Sequence, residues 1–347
     1  MRSKTRWYEN GEKNSKYFLH QEKRTFLRKK ISKLKLSNGE ETDDAETILE
    51  EEKTFYKNLY STRNVNPNDS EFDIFFNNNL LTPLNKEQSK NCEGVLTEQE
   101  CYQALKHMDN GKSPGFDGFT CEFYKFFWDY VKQNVVESIN YGFEKRQLSI
   151  CQRRGIITLV PKKDKPTNLL GNLRPISLLN TDDKIATKAI AKRLEAVLPL
   201  VINDDQTGYI KGRYIGENVR DVRLISDIIS YTAAKNLPSL AIFLDFEKAF
   251  DSIEWNFLFK VLDILNFGPD FKNWIKTFYC NITSYVTNNG YASDFFNLER
   301  GVRQGCPLSG TLFVLGIEIL ALAIKKKSEN RRHQSRSARN KNRTVCG

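Results

Sequence analysis

The run "SLAIFLD" (Ser239–Asp245) is apolar from Leu240 to Leu244 and ends in a carboxylate. Such a run reads as a strand buried on both faces, which a chain builds only where helices or a second sheet cover it. A buried charge needs a charged partner, hydrogen bonds or a metal. The C-terminal ends of sheet strands are also where sites open in folds that alternate helix and strand. Asp245 is therefore expected at the mouth of a site. A hard cation such as Mg²⁺ suits it, because that ion takes one or two carboxylates and completes its shell with water and phosphate oxygens. A backbone or Arg partner fits Asp245 as well. The acids after it have plainer uses: Asp251 reads as a helix N-cap, Glu254 as its capping-box partner and Glu247 as solvent-facing.

Around this strand the pattern is mixed. "GIITLVPK" (Gly155–Lys162) is a second branched run, closed by Pro161, and reads as a buried strand. Asn289-Gly290 between two β-prone runs predicts a hairpin. Helices are predicted elsewhere. One follows a Thr97/Glu100 capping box, with Cys101, Ala104, Leu105 and Met108 as its apolar stripe. A second has Tyr124, Phe127, Val131, Val135 and Ile139 along one face, its aromatics read as core rather than as stacking platforms. A third enters through Asn180 or Thr181, with Asp182 and Asp183 where the dipole favours them. Two more cover Ile215–Tyr231 and the apolar stretch after "GVRQGCPLSG". Helices alternating with a few strands give an α/β or α+β class.

Charge narrows the partners. The 347 residues carry a formal +10, and Met1–Leu36 alone holds twelve Lys/Arg against three Glu. Within it "KNSKYFLHQEKRTFLRKKISKL" (Lys13–Leu34) reads as a basic amphipathic helix or helix pair, suited to a phosphate backbone or simply solvated. Eight carboxylates between Glu40 and Glu52 read as the solvated face of a helix containing Ile48, Leu49 and Phe55. Asn64–Asn79 reads as a loop. Seven scattered cysteines with no C-x-x-C pair and three His argue against a disulfide framework and a zinc site, and fit a reducing compartment. No signal peptide is expected, and Leu312–Ile324, interrupted by Glu318, is too short to span a bilayer.

Several long motifs, in order, resemble the reverse transcriptase of LINE-type non-LTR retrotransposons: "KSPGFDGFTCEFYKFFWD", "IITLVPKKDK…LGNLRPISLLN", "DDQTGYIKGRYIGENVRDV", "FLDFEKAFDSIEWNFL" and "RGVRQGCPLSGTLFVLGIEILALAI". The resemblance runs from Trp7 to about Ile324. It implies a right-hand polymerase in which residues 1–95 are a helical connector, 96–154 an N-terminal extension, 155–324 fingers and partial palm, and 325–347 a basic disordered tail. Asp245 is similar to the first metal-binding aspartate, with Phe246 offering its backbone carbonyl. Phe250 is similar to the aromatic gate against the sugar 2′ position. Lys162 and Arg174 are similar to the pair that grips the triphosphate. Gln304 and Gly305 are similar to the Gln-Gly along nucleotide and template. Implied partners are two Mg²⁺ ions, an RNA template, a DNA primer and dNTPs; no membrane is implied.

The family's aromatic-Ala-Asp-Asp hairpin has no counterpart among these residues. Asp43-Asp44, Asp182-Asp183 and Asp204-Asp205 do not replace it, since none lies between two apolar strands. Ser309-Gly310 stands where Ser-Pro is usual. The expectation is a fragment of a longer polyprotein, inactive alone, with a non-catalytic RNA-binding remnant as the alternative. Basic clusters serve nuclear import and RNA binding alike, so nucleus and cytoplasm both fit.

Overall fold

The computed structural model describes residues 31–63, 82–214, 216–238, 240 and 242–325. The predicted loop at 64–79, the basic segment before residue 31 and the tail after 325 lie outside the described residues. Ile31 and Leu34 are buried, but Leu34 belongs to a short strand, β1 (Leu34–Lys35), paired with β2 (Glu41–Thr42), and not to the expected helix.

Helix α1 (Ala45–Tyr60) is capped by Asp44, whose carboxylate accepts from the Thr47 N–H at 2.9 Å. Its buried face is Ile48, Glu52, Tyr56 and Tyr60. Glu52 thus departs from the expected solvated row, since its spacing of four from Ile48 and Tyr56 puts it on the apolar stripe. Short α2 (Lys86–Lys90) leads to α3 (Glu98–Lys106), where the Thr97/Glu100 capping box is present and Cys101, Ala104 and Leu105 are buried. Helix α4 (Cys121–Glu144) buries Tyr124, Trp128, Ile139 and Phe143, while Phe126 and Tyr130 stand exposed.

After a turn of helix, α5 (Ile150–Arg153), comes β3 (Arg154–Pro161), which pairs antiparallel with β4 (Leu173–Leu178). Helix α6 (Thr181–Val201) runs back through the core, beginning at Asn180 as the sequence predicts. Arg193 of α6 uses its whole donor fork on the N-terminal extension: Nε and Nη2 reach Glu100, Nη1 the carbonyls of Cys92, Glu93 and Gly94, and Nη2 also Val95. That fixes α3 and its entry segment on α6. Helix α7 (Gly216–Ala234) follows, then α8 (Trp255–Ile264) and α9 (Pro269–Tyr279).

Strand β5 (Thr283–Asn288) lies parallel to β3 and turns through Asn289-Gly290 into β6 (Tyr291–Ala292), both turn residues having positive φ (54° and 89°), as this hairpin type requires. Strand β7 (Phe296–Asn297) also pairs with β5, and the sheet order is β4-β3-β5-β6. Helix α10 (309–325) closes the described chain. The class is therefore mixed α/β, as read from the pattern. Among the described residues no helix is long and apolar enough to cross a membrane, and Cys92, Cys101, Cys121, Cys151, Cys280 and Cys306 are free thiols.

Of the expected strand at Ser239–Asp245, the described residues form none. Residues 240 and 242–246 are irregular and exposed, with Leu240 at 84% and Phe243 at 80% exposure. A strand exists only through pairing, and no described strand pairs with this run.

Candidate functional site

The site is built where three chain segments converge on β4. The β3–β4 hairpin alternates strictly, so that Leu173, Pro175 and Ser177 are buried and Arg174, paired with Val160, faces outward. Lys162 continues β3 two residues beyond Val160 on that same outward side. Its N–H donates to the Asn172 carbonyl (2.9 Å) and its Nζ to that of Gly171 (3.0 Å). Both predicted cations therefore stand at one end of one hairpin.

The second segment is the loop 301–305. Gly301 and Val302 donate to the carbonyls of Ile253 and Phe250 (2.7 Å each), and the Gln304 carbonyl accepts from Ser177 N–H at 2.6 Å. Gly305 has φ +119°, and a Cβ there would collide with the Ser177 carbonyl oxygen. Glycine is the residue that fits both the angle and the approach. Behind the loop Arg303 is buried with Asp183 of α6 (Nη2 to Oδ2, 3.2 Å), and its carbonyl accepts from Ser309. Burial pushes the Asp183 carboxyl up, and the Arg303 charge opposes that.

The third segment, 245–254, follows the exposed run. Asp245 and Phe246 are exposed. Phe250 is half-buried, stacked on Phe313 of α10 (centroids 4.8 Å, 11°) and edge-on to Tyr209 (6.2 Å). Gly310 makes room for Tyr209, because a Cβ at that position would run into the tyrosine ring. The Ser-Gly departure noted in the sequence therefore has a packing reason.

Asp251 is not an N-cap. It sits in a 3₁₀ turn (Ala249–Ser252), the N-cap of α8 is Glu254 with no side-chain cap bond, and Glu254 instead meets Arg300 (3.2 Å) and Thr62 (2.9 Å). Asp251 is only 1% exposed and accepts from Tyr60 Oη and Gln304 Nε2, each at 2.8 Å. Burial raises its pKa, opposed by those two hydrogen bonds and by the charges of Lys248 and Lys162. Sequence reasoning missed this residue because its donors lie far along the chain; the one signal available was an Asp directly after Phe250.

Phe250, Gln304 and Gly305 line a groove of about 860 Å³ together with Tyr209, Lys188 and Lys211. Lys162 and Arg174 lie outside that lining. The predicted metal residues, Asp245 and Phe246, are adjacent and exposed, and among the described residues no group of three or more His, Cys, Asp or Glu assembles. Of the Asp-Asp pairs, Asp182-Asp183 open α6 as the sequence suggests; Asp44 caps α1, a role the acidic run did not announce, and Asp204 and Asp205 meet Arg213 and Lys325.

A family model described as "Reverse transcriptase (RNA-dependent DNA polymerase)" matches residues 160–336. The chain is 36% identical over 316 residues to the "Transposon TX1 uncharacterized 149 kDa protein" of Xenopus laevis, covering 91% of this chain and 24% of that protein. It is 30% identical over 157 residues to the "Retrovirus-related Pol polyprotein from type-1 retrotransposable element R2" of Popillia japonica (45% and 21%). It is 25% identical over 218 residues to the "Probable RNA-directed DNA polymerase from transposon X-element" of Drosophila melanogaster (62% and 24%). The chain spans about a quarter of the length of these relatives.

Proposed function

Because the chain belongs to the reverse transcriptase family of LINE-type non-LTR retrotransposons, we propose that it supplies the fingers and part of the palm for RNA-templated DNA synthesis. In this reading the groove beside Phe250 and Gln304 receives the incoming dNTP and the template. The observation that carries it is that Phe250, Gln304 and Gly305, from two separate motifs, line one groove that Lys188 and Lys211 make cationic.

Each side chain then has a role. Arg174 and Lys162 neutralise the triphosphate, Arg by a bidentate fork and Lys as a point charge. Phe250, held flat by Phe313, is a rigid wall against the sugar. Gly305 lets the backbone come close to β4, which fixes the Gln304 side chain beside the nucleotide. Two Mg²⁺ ions, if bound, would supply Lewis-acid activation of a hydroxyl and neutralisation of phosphate charge. The described residues do not make that two-ion site: Asp245 is exposed, and Asp251 and Glu254 are engaged elsewhere. In this reading catalysis draws on carboxylates beyond the described residues, which bind RNA without themselves extending a primer.

Fluorescence anisotropy with a labelled RNA–DNA hybrid, paired with primer extension in Mg²⁺, tests both parts. Binding is expected to fall steeply with salt and to weaken about tenfold in Lys188→Glu/Lys211→Glu. No extension is expected. Mg²⁺-dependent extension that Asp245→Ala abolishes overturns the incompleteness, and hybrid binding indifferent to the charge reversals overturns the groove.

A further inference from the structure

Asp251 has no part in the roles above, yet it is buried beside the groove loop and accepts a hydrogen bond at each carboxylate oxygen. We propose that it is a positioning residue: fixed by Tyr60, its carboxylate holds the Gln304 amide so that the amide oxygen faces the groove. The proposal rests on reading that groove as a nucleotide site.

The bonding is one donor to each oxygen. Tyr60 Oη donates to Oδ1 and Gln304 Nε2 to Oδ2, both at 2.8 Å. Tyr60 is buried, and burial followed by the Asp251 charge drives its pKa far up, so the phenol stays a donor. An ionised carboxylate accepts and does not donate, so the amide cannot sit reversed against it. With Nε2 held, Oε1 is at the opposite edge of the amide. Gln304 then offers the groove an acceptor, which recognises a ligand hydroxyl or N–H and not a phosphate oxygen.

The surrounding backbone holds the pair in register. The loop is bonded to the Asp251 turn at Gly301–Ile253 and Val302–Phe250. Gly301, with φ +84°, lies so close that a Cβ would come within 2.9 Å of the Asp251 carbonyl oxygen. Tyr60 is itself anchored to the loop, since its carbonyl accepts from the N–H groups of Glu299 (2.9 Å) and Arg300 (3.2 Å). Helix α1, upstream of the polymerase motifs, is thus linked to Gln304 of the groove through Tyr60 and Asp251.

The test uses the 347-residue chain labelled with ¹⁵N-glutamine, with the Gln304 side-chain signal assigned by its loss in Gln304→Met. In the unsubstituted protein that NH₂ pair is expected to be shifted from exposed-glutamine values and slow in hydrogen exchange. Asp251→Ala should return it to exposed values. Asp251→Asn should restore it, because Asn accepts from Gln304 through Oδ1 and donates to Tyr60 through Nδ2. Tyr60→Phe should be intermediate. Ile139→Ala, in the distant core of α4, should lower Tm and leave the signal unmoved, which separates positioning from general destabilisation. Titration with Mg-dATP should then weaken about tenfold in Asp251→Ala relative to Asp251→Asn. A Gln304 signal that is unprotected, or the same in Asp251→Ala, overturns the inference. If the signals behave as expected but Mg-dATP perturbs none of them, the positioning stands and the nucleotide reading of the groove fails.

Discussion

Asp245 and Asp251 are six residues apart and have opposite surroundings. Asp251 is held by Tyr60 and Gln304 inside a turn that the 301–305 loop and the end of α1 close from two sides. Asp245 ends an apolar run that nothing described covers; Leu240, Ile242, Phe243 and Leu244 are exposed, as are Val222 and Ile228 of α7 just before it. The local sequence suggests the reverse, an apolar run before the first acid and a cap-like context at the second. The difference teaches that a carboxylate is buried by the donors other segments bring to it, not by the hydrophobicity of its own neighbours. A strand edge behaves likewise: unpaired N–H and C=O groups keep it open whatever its side chains prefer.

If the closed side depends on satisfied buried charge, breaking a pair there should have the largest effect. Arg303→Met leaves Asp183 buried without its cation, and the loop carrying Gln304 loses its anchor on α6. Removing one partner of a buried pair costs about 3–5 kcal/mol. Urea unfolding is expected to move by that amount at neutral pH. The double variant Arg303→Met/Asp183→Leu should recover most of it, since no uncompensated charge remains.

Glu52 gives the next effect, and it depends on pH. Burial raises its pKa to about 8, opposed by the Asn288 hydrogen bond (2.8 Å). The folded state then keeps a proton that the unfolded chain loses above the ordinary glutamate value of 4.5. The resulting stability is fully present below that value and is lost as pH rises towards 8. Glu52→Gln keeps an acceptor for Asn288 and removes the titration. It should be more stable than the unsubstituted protein at pH 8 by on the order of 2–3 kcal/mol, with a flatter Tm profile between pH 6 and 8. Asp182, raised by burial to about 6, acts with the same sign at lower pH, and Asp183, Asp251 and Glu318, also raised by burial, are common to both proteins and cancel in the comparison. A profile equally steep in both proteins would show that α1 docks with Glu52 ionised.

What the sequence made legible follows the same division. The Thr97 box, the Asn289-Gly290 turn and the start of α6 at Asn180 are decided within a few residues, and they stand where the pattern put them. The motif residues Phe250, Gln304 and Gly305 were found through their order along the chain, and the groove unites them. Glu52 and Asp251 were misread because their partners, Asn288 and Tyr60, are 236 and 191 positions away. Periodicity does carry a trace of Glu52, which shares the i, i+4 row of Ile48 and Tyr56. For Asp251 no local rule competes with the N-cap reading. The strand at 239–245 failed for a third reason: its composition was right, but a strand needs an edge to pair with.

The smallest effect belongs to the open side. Phe243 is 80% exposed, so replacing it removes little packing from the described fold. Phe243→Ser should change Tm negligibly, within about 0.5 kcal/mol of stability, as for other exposed positions. Its effect should appear in solution behaviour, because an exposed cluster of large apolar side chains is a template for association. Light scattering at increasing concentration should give less self-association for Phe243→Ser than for the unsubstituted chain. A large loss of Tm would mean that Phe243 is packed in solution and the run before Asp245 is covered. In that case the contrast between the two aspartates disappears, and Asp245 regains the covered strand that its sequence suggests.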